Sequence, residues 1–198
     1  MVVITLDDYI EFYHSTFLPA FAKYTGYLLE KDENILTSIE AAHSHLMQYF
    51  AFQGDEEGLQ NLMKAKGHLE RATLDSYKLL WAHLDETISM LIVDPDRRLV
   101  GVNLKDEELL TAYRSAKTES LTVRQKELLN IGIDVEDSIQ RYSHLIELCD
   151  HIMDNVDDIA LSMFDARRRR KKCMNYAITL IIGIIGSLIA TFIFLSLT

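Results

Sequence analysis

The chain has 198 residues, of which 48% are apolar and 25% are charged. This composition excludes a disordered chain, because disorder requires low hydrophobicity together with high net charge. Only 2 Pro and 8 Gly are present, which argues against collagen-like, Pro-rich and turn-dense all-β proteins and favours a mostly helical chain. Two Cys cannot build a disulfide framework.

The chain is predicted to be all-α: an antiparallel bundle of about five helices, followed by a C-terminal single-span transmembrane helix. The apolar periodicity predicts helices over about residues 6–29, 33–53, 56–93 and 104–129, and a fifth from 134 onward. We expect Pro19 to break or kink the first helix. Pro95 ends the third, which leaves residues 94–103 as a loop.

The fifth helix has the most regular pattern, because its apolar residues alternate steps of three and four. This spacing is typical of a heptad seam. The seam residues are Ile139, Tyr142, Ile146, Cys149, Met153, Val156, Ala160 and Met163. No Pro or Gly lies between Asp134 and Lys172. The helix could therefore run directly into the membrane anchor; the alternative is a flexible joint near Ala166.

Residues 176–197 contain no charge, and their 22 residues predict a transmembrane helix. At 1.5 Å per residue such a helix is about 33 Å long, enough to cross a hydrocarbon core of about 30 Å. Because it ends one residue before the last residue, we interpret it as a tail anchor. The domain organisation is then an acidic cytosolic bundle (1–166), a basic juxtamembrane segment (167–175) and the anchor (176–197).

A basic cluster precedes the anchor, and no cation follows it. The cluster consists of Arg167, Arg168, Arg169, Arg170, Lys171 and Lys172. The positive-inside rule then predicts a cytoplasmic N-terminal body and a C-terminus across the membrane. We expect these cations to contact anionic lipid headgroups. Specific phosphoinositide or nucleic-acid binding is the alternative.

The body is strongly acidic once the basic cluster is set aside. Of the chain's 20 Lys and Arg, 14 lie in residues 1–166 with all 30 Asp and Glu, which gives a net charge of −16. Phosphate contacts need a positive surface, so we do not expect a nucleic-acid partner. A basic soluble protein is the kind of partner that such a surface could dock.

Small residues lie four apart within the anchor. Gly183 pairs with Ser187, and Gly186 pairs with Ala190. This small-xxx-small spacing lets transmembrane helices approach closely. We therefore expect a homo-oligomer; a monomeric anchor is the alternative.

Two Glu-x-x-His pairs offer the clearest candidates for chemistry: Glu11 with His14, and Glu40 with His43. Di-metal carboxylate bundles use two such pairs with further Glu from other helices. Here the pairs lie on consecutive helices, whereas in those bundles another helix separates them. A di-metal enzyme therefore remains a minor alternative, and we expect no cofactor, no metal and no enzymatic activity.

The third helix carries a polar stripe at three- and four-residue steps, formed by Lys64, His68, Arg71, Asp75 and Lys78. With this stripe and a bundle fused to an anchor, the chain resembles the HEPN-like helical domains of bacterial antiviral and toxin systems, some of which have membrane anchors. The resemblance covers about 100 residues. Nucleolytic members carry Arg, four to six residues, then His; this chain lacks that motif, so the resemblance does not imply ribonuclease activity.

Two functions follow as expectations. The first is a non-enzymatic, membrane-anchored helical protein that self-associates, in its sharpest form a pore-forming or membrane-disrupting effector in bacterial defence. The second is a membrane-tethered adaptor or sensor that docks a soluble partner at the cytoplasmic face.

Overall fold

The computed structural model describes residues 4–52, 55–129 and 134–197, with side chains as far as residue 189. The predicted all-α class is confirmed, because the described residues are mostly helical and form no strand. The chain divides into two compact units. We call residues within 1–93 and 104–155 the helical body, and residues within 94–103 and 156–198 the anchor unit.

The helices follow the predicted order closely. They are α1 (Leu6–Phe12), α2 (Leu18–Leu28), α3 (Glu33–Ala51), α4 (Glu56–Val93), α5 (Pro95–Gly101), α6 (Asp106–Leu129), α7 (Val135–Met153) and α8 (Asp158–Leu197). The predicted end of the second helix at Gln53 lies outside the described residues.

The first helical stretch is interrupted, but not at Pro19 as predicted. A π-helical segment, Tyr13–Phe17, joins α1 to α2. Directly after it, the Leu18 amide donates to the Tyr13 carbonyl, five residues earlier. Pro19 then falls in the first turn of α2, and the chain stays helical through it.

The central element of the body is α4, which packs against α1, the π-helical segment, α2, α3 and α7. It supplies Trp81, the largest of the fully buried side chains in the described residues, which is 1% exposed. Two buried hydroxyl groups on α4 are satisfied within the helix: Thr73 donates to the Leu69 carbonyl at 2.8 Å, and Ser76 donates to the Ala72 carbonyl at 2.7 Å. These two hydroxyl groups are therefore buried without the loss of a hydrogen bond.

Asp side chains start several helices. Asp32 Oδ1 accepts from the Asn34 amide at 2.8 Å at the start of α3. Asp134 accepts from the Asp137 amide at 3.0 Å at the start of α7. Such caps satisfy amide groups that have no partner within the first helical turn.

The predicted heptad seam does not lie on one helix, because α7 ends at Met153 and α8 begins at Asp158. On α7 the seam residues Ile139, Tyr142, Ile146 and Cys149 are buried, and Met153 is half-buried at the helix end. Val156 lies between the helices, and Ala160 and Met163 belong to α8. The steps of three and four continue across the gap, so apolar spacing alone could not reveal it.

The break has a local cause. Asn155 Nδ2 donates to the His151 carbonyl at 2.9 Å, and Asp157 Oδ1 accepts from the Ala160 amide at 2.9 Å. Asn and Asp favour such side-chain bonds to the backbone at helix ends. From Asp158 onward α8 is helical through Ala166 and the basic cluster, so neither a helix unbroken from 134 nor a joint at Ala166 is observed.

Residues 94–103, predicted as a loop, contain the short helix α5. The Asp94 side chain accepts from the amides of Asp96 and Arg97, and Pro95 occupies the first turn. Asp followed by Pro at this position is a helix start, since proline's fixed φ suits the first turn. Pro95 thus ends α4 and begins α5.

Candidate membrane anchor and basic cleft

Within the described residues, α8 is long and apolar enough to cross a membrane. Its best 18-residue window has a mean hydropathy of 1.7 and contains no buried residue. The large apolar side chains from Met174 to Ile189 are all at least 48% exposed. In water such a surface is unfavourable, by roughly 25 cal/mol for each Å². A lipid bilayer would remove this cost.

The start of α8 is packed against α5. Val102 and Val156 form an isolated antiparallel bridge, and the Asp157 amide donates to the Gly101 carbonyl at 2.8 Å. A Cβ atom on Gly101 would lie 2.3 Å from Leu161 Cγ. Glycine is therefore required for this close approach of backbone and side chain.

Two ion pairs extend the contact between α5 and α8. Arg168 donates to Asp94, and Arg97 Nη2 lies 3.4 Å from Asp165 Oδ2. The hydrogen bond from Arg168 holds the pKa of Asp94 below its usual value. Asp94, in the segment predicted as a loop, and Arg168, in the predicted juxtamembrane basic cluster, are thus partners.

The basic cluster is unevenly distributed around α8. Arg167, Arg168, Lys171 and Lys172 line a cleft of about 470 Å³. We call this the basic cleft. Its remaining lining residues are Asp96, Phe164 and Asn175. The Arg168 guanidinium also lies 6.0 Å from the centre of the Phe164 ring, at the limit of a cation–π contact.

Arg169 and Arg170, the other two cations of the cluster, are exposed and are not among the residues that line the basic cleft. At about 100° per residue, positions 167, 168, 171 and 172 share one side of a helix, whereas 169 and 170 lie on another. Helical periodicity alone could have shown this division; the carboxylates of α5 could not have been found in that way.

The small residues of the anchor lie in open surroundings. A Cβ atom added to Gly183 or Gly186 would meet no atom within 4 Å. Ser187 is exposed on the same helix, and the side chain of Ala190 lies outside the described residues. As far as the structure describes α8, this side is therefore accessible to a helix of a second molecule.

The two Glu-x-x-His pairs are only partly brought together. His14, Glu40 and His43 line one groove of about 560 Å³, while Glu11 lines a different pocket. Among the described residues, no group of three or more His, Cys, Asp or Glu is arranged to hold a metal ion. The di-metal alternative therefore has no ligand set in this part of the chain.

The polar stripe on α4 contacts neighbouring helices. Lys78 pairs with Glu127 of α6, and the His68 ring stacks on His45 of α3 with centroids 5.4 Å apart. Burial, then the neighbouring His45 and Arg71, lowers the pKa of His68. The stripe thus contributes to packing within the body, which its spacing alone did not indicate.

The two cysteines differ in environment. Cys149 is buried on α7, and burial raises the pKa of its thiol to about 12. Cys173 is exposed, just after the basic cluster. A nucleophile needs an accessible thiolate, so Cys149 has the character of a core residue.

Comparison with protein-family models, curated proteins and solved structures finds no match for this chain. The resemblance to HEPN-like domains therefore stays a prediction.

Proposed function

We propose that the protein is a non-enzymatic, single-pass membrane protein that self-associates through α8 and holds its acidic body at the cytoplasmic face. The observation that carries this proposal is the course of α8. One helix leads from the ion pairs with α5, through six cations, into an exposed segment without charge. Helices are suited to span lipid because they satisfy their own backbone hydrogen bonds.

The proposed orientation rests on the charge flanking the span. Six cations lie within the nine residues before Tyr176, and the residues that follow carry none. Translocating such a cluster is disfavoured, so the cations and the residues before them stay on the cytoplasmic side.

Self-association is supported by the exposed apolar surface of α8 and by the open space beside Gly183 and Gly186. In lipid, helices associate through close packing rather than through the hydrophobic effect. Glycines at this spacing permit that packing.

The mass of the full-length protein in nanodiscs tests this proposal. We expect a uniform oligomer that Gly183→Ile dissociates, because the added side chain separates the helices. Ala177→Ile is the matched control, since position 177 lies about 120° away around the helix. A monomeric unmodified protein, or equal effects of the two substitutions, would contradict self-association through this face.

In a sharper form, assembled anchors disrupt the membrane. The described part of the span carries hydroxyl groups only on Tyr176, Thr179 and Ser187, and no charge. A water-filled pore therefore requires a hydrophobic gate that opens on rearrangement. Dye release from liposomes tests this form; retention of the dye in every assembly state would eliminate it.

The second candidate function is an adaptor, favoured by the net charge of −16 in residues 1–166. Such a surface attracts basic partners and speeds their association at low salt. Stoichiometry separates the two functions. A monomer or dimer bound to a second, basic protein supports the adaptor, whereas a large homo-oligomer alone supports the first function.

A further inference from the structure

If α8 spans a bilayer, Lys171 and Lys172 of the basic cleft lie at the depth of lipid headgroups, about 6–8 Å before the span along the helix axis. Arg167 and Arg168 lie about 12–14 Å before it, and their long side chains can extend toward the headgroups. Asn175, which lines the cleft, immediately precedes Tyr176 at the start of the predicted span. Lys172 lies four residues before Tyr176, about 6 Å along a helix axis. A phosphate at this depth belongs to a lipid whose acyl chains run beside the span.

The cations of the cleft also have carboxylates of α5 beside them. Asp94 of α5 pairs with Arg168, and Asp96 of α5 is part of the lining. A carboxylate and a phosphate use the same guanidinium donors. The α5 carboxylates therefore occupy, in part, the charge environment that a phosphate would need.

We propose that the basic cleft binds the phosphate of an anionic lipid headgroup, and that this phosphate competes with Asp94 for Arg168. The proposal rests on the proposed membrane anchoring. It goes beyond general attraction between cations and an anionic leaflet, because it assigns binding to one side of α8. It also makes α5 the internal competitor of the lipid.

The cations that line the cleft can be compared with the outward cations, Arg169 and Arg170, which do not line it. Arg167→Gln with Lys171→Gln removes two charges from the cleft, and Arg169→Gln with Arg170→Gln removes two charges from elsewhere on the same cluster. Both pairs leave the same net charge, and all four positions are exposed. Diffuse attraction predicts equal effects on lipid binding, whereas a cleft predicts unequal effects.

The measurement uses the full chain in phosphatidylcholine nanodiscs that contain a trace of spin-labelled phosphatidylglycerol or spin-labelled phosphatidylcholine. The ratio of the two immobilised fractions gives the preference for the anionic lipid. We expect the cleft pair to reduce this preference about tenfold and the outward pair less than about twofold. Equal reduction by both pairs would overturn the proposal.

Competition is tested by Asp94→Asn, which keeps a good helix cap while removing the charge. We expect the anionic preference to rise by about threefold or more. In an Arg168→Gln background the same substitution should have no effect, because its partner is absent. An unchanged preference on Asp94→Asn, or an equal rise in both backgrounds, would overturn the competition.

Two further arms separate the outcomes. Alkaline extraction of each variant reports whether the chain is membrane-embedded; an extractable chain contradicts the proposed anchoring rather than the cleft.

Inorganic phosphate, added at millimolar concentration, should leave the lipid preference unchanged at constant ionic strength. Loss of the preference with phosphate alone would assign the cleft to a soluble anion and overturn the lipid assignment.

Discussion

The helical body and the anchor unit use apolar helices in opposite ways. In the body, α4 buries Trp81 and Leu84 against neighbouring helices. In the anchor unit, α5 covers Leu161 near the start of α8, while Leu180 and its neighbours are exposed. Apolar residues that serve as a core in one region thus form an outer surface in the other. The two uses differ in their charge pattern, because α4 carries charged residues on its other faces, whereas residues 176–189 carry none.

Of the tests of this contrast, we expect the largest effect in thiol labelling. At neutral pH, a pKa of about 12 in place of 9.0 leaves Cys149 with about a thousandfold less thiolate. We expect a membrane-impermeant maleimide, added on the side of the body, to label Cys173 within minutes and to spare Cys149. Mass spectrometry of peptides checks this. Labelling of Cys149 first would show that the core of the body is open, and protection of Cys173 would contradict its placement outside the bilayer.

Truncating one leucine in each region tests the energetic difference. Leu84→Ala should lower the free energy of unfolding of the body by about 2–5 kcal/mol, because a cavity forms in the core. Leu180→Ala should change it by less than about 0.5 kcal/mol. Urea unfolding in nanodiscs, followed by fluorescence of Trp81, the chain's single tryptophan, measures both. Similar losses for the two variants would show that the span is part of the body's core.

Substitution of one glycine in each region compares how closely neighbouring atoms approach the backbone there. Gly101→Ala should destabilise the contact between α5 and α8 by about 1–3 kcal/mol, because its Cβ would overlap Leu161. Gly67→Ala on α4 meets open space and should stabilise that helix by about 0.5–1 kcal/mol. Hydrogen exchange of the Val102 amide, which donates to Arg98 at 3.1 Å, measures the first effect. Unchanged exchange in Gly101→Ala would contradict the close packing.

The smallest expected effect is a pH dependence of the free energy of unfolding of the body. Burial lowers the pKa of His68 from 6.5, so the unfolded chain binds this proton more readily than the folded chain. The stability contributed by neutral His68 is therefore present above about pH 6.5 and decreases as the pH falls below it. Urea midpoints at about pH 7.5 and 5.5 should differ less in His68→Gln than in the unmodified protein. An equal difference would assign the pH dependence to other groups.

Sequence patterns predict one element of each unit well. The bounds of α4 follow from its apolar periodicity and from Pro95, and the candidate membrane span of α8 follows from the absence of charge. In both cases one local property decides the structure.

Some of the features that sequence reasoning missed involve distant partners. The apolar rhythm continues from Met153 to Ala160, yet the chain leaves the helix there and Val156 pairs with Val102. Likewise, the basic cluster is evident from the sequence, but its partner Asp94 lies 74 residues away. Local periodicity carries no information about such contacts.

The π-helical segment between α1 and α2 has a consequence for changes in chain length. A π turn holds one more residue than an α turn, because its hydrogen bond spans five residues instead of four. Deleting one residue within Tyr13–Phe17 would allow an uninterrupted α ladder while keeping Tyr9 and Ala20, both buried, on their present sides. This segment is therefore the place in the first helical stretch where a single-residue deletion disturbs the flanking faces least.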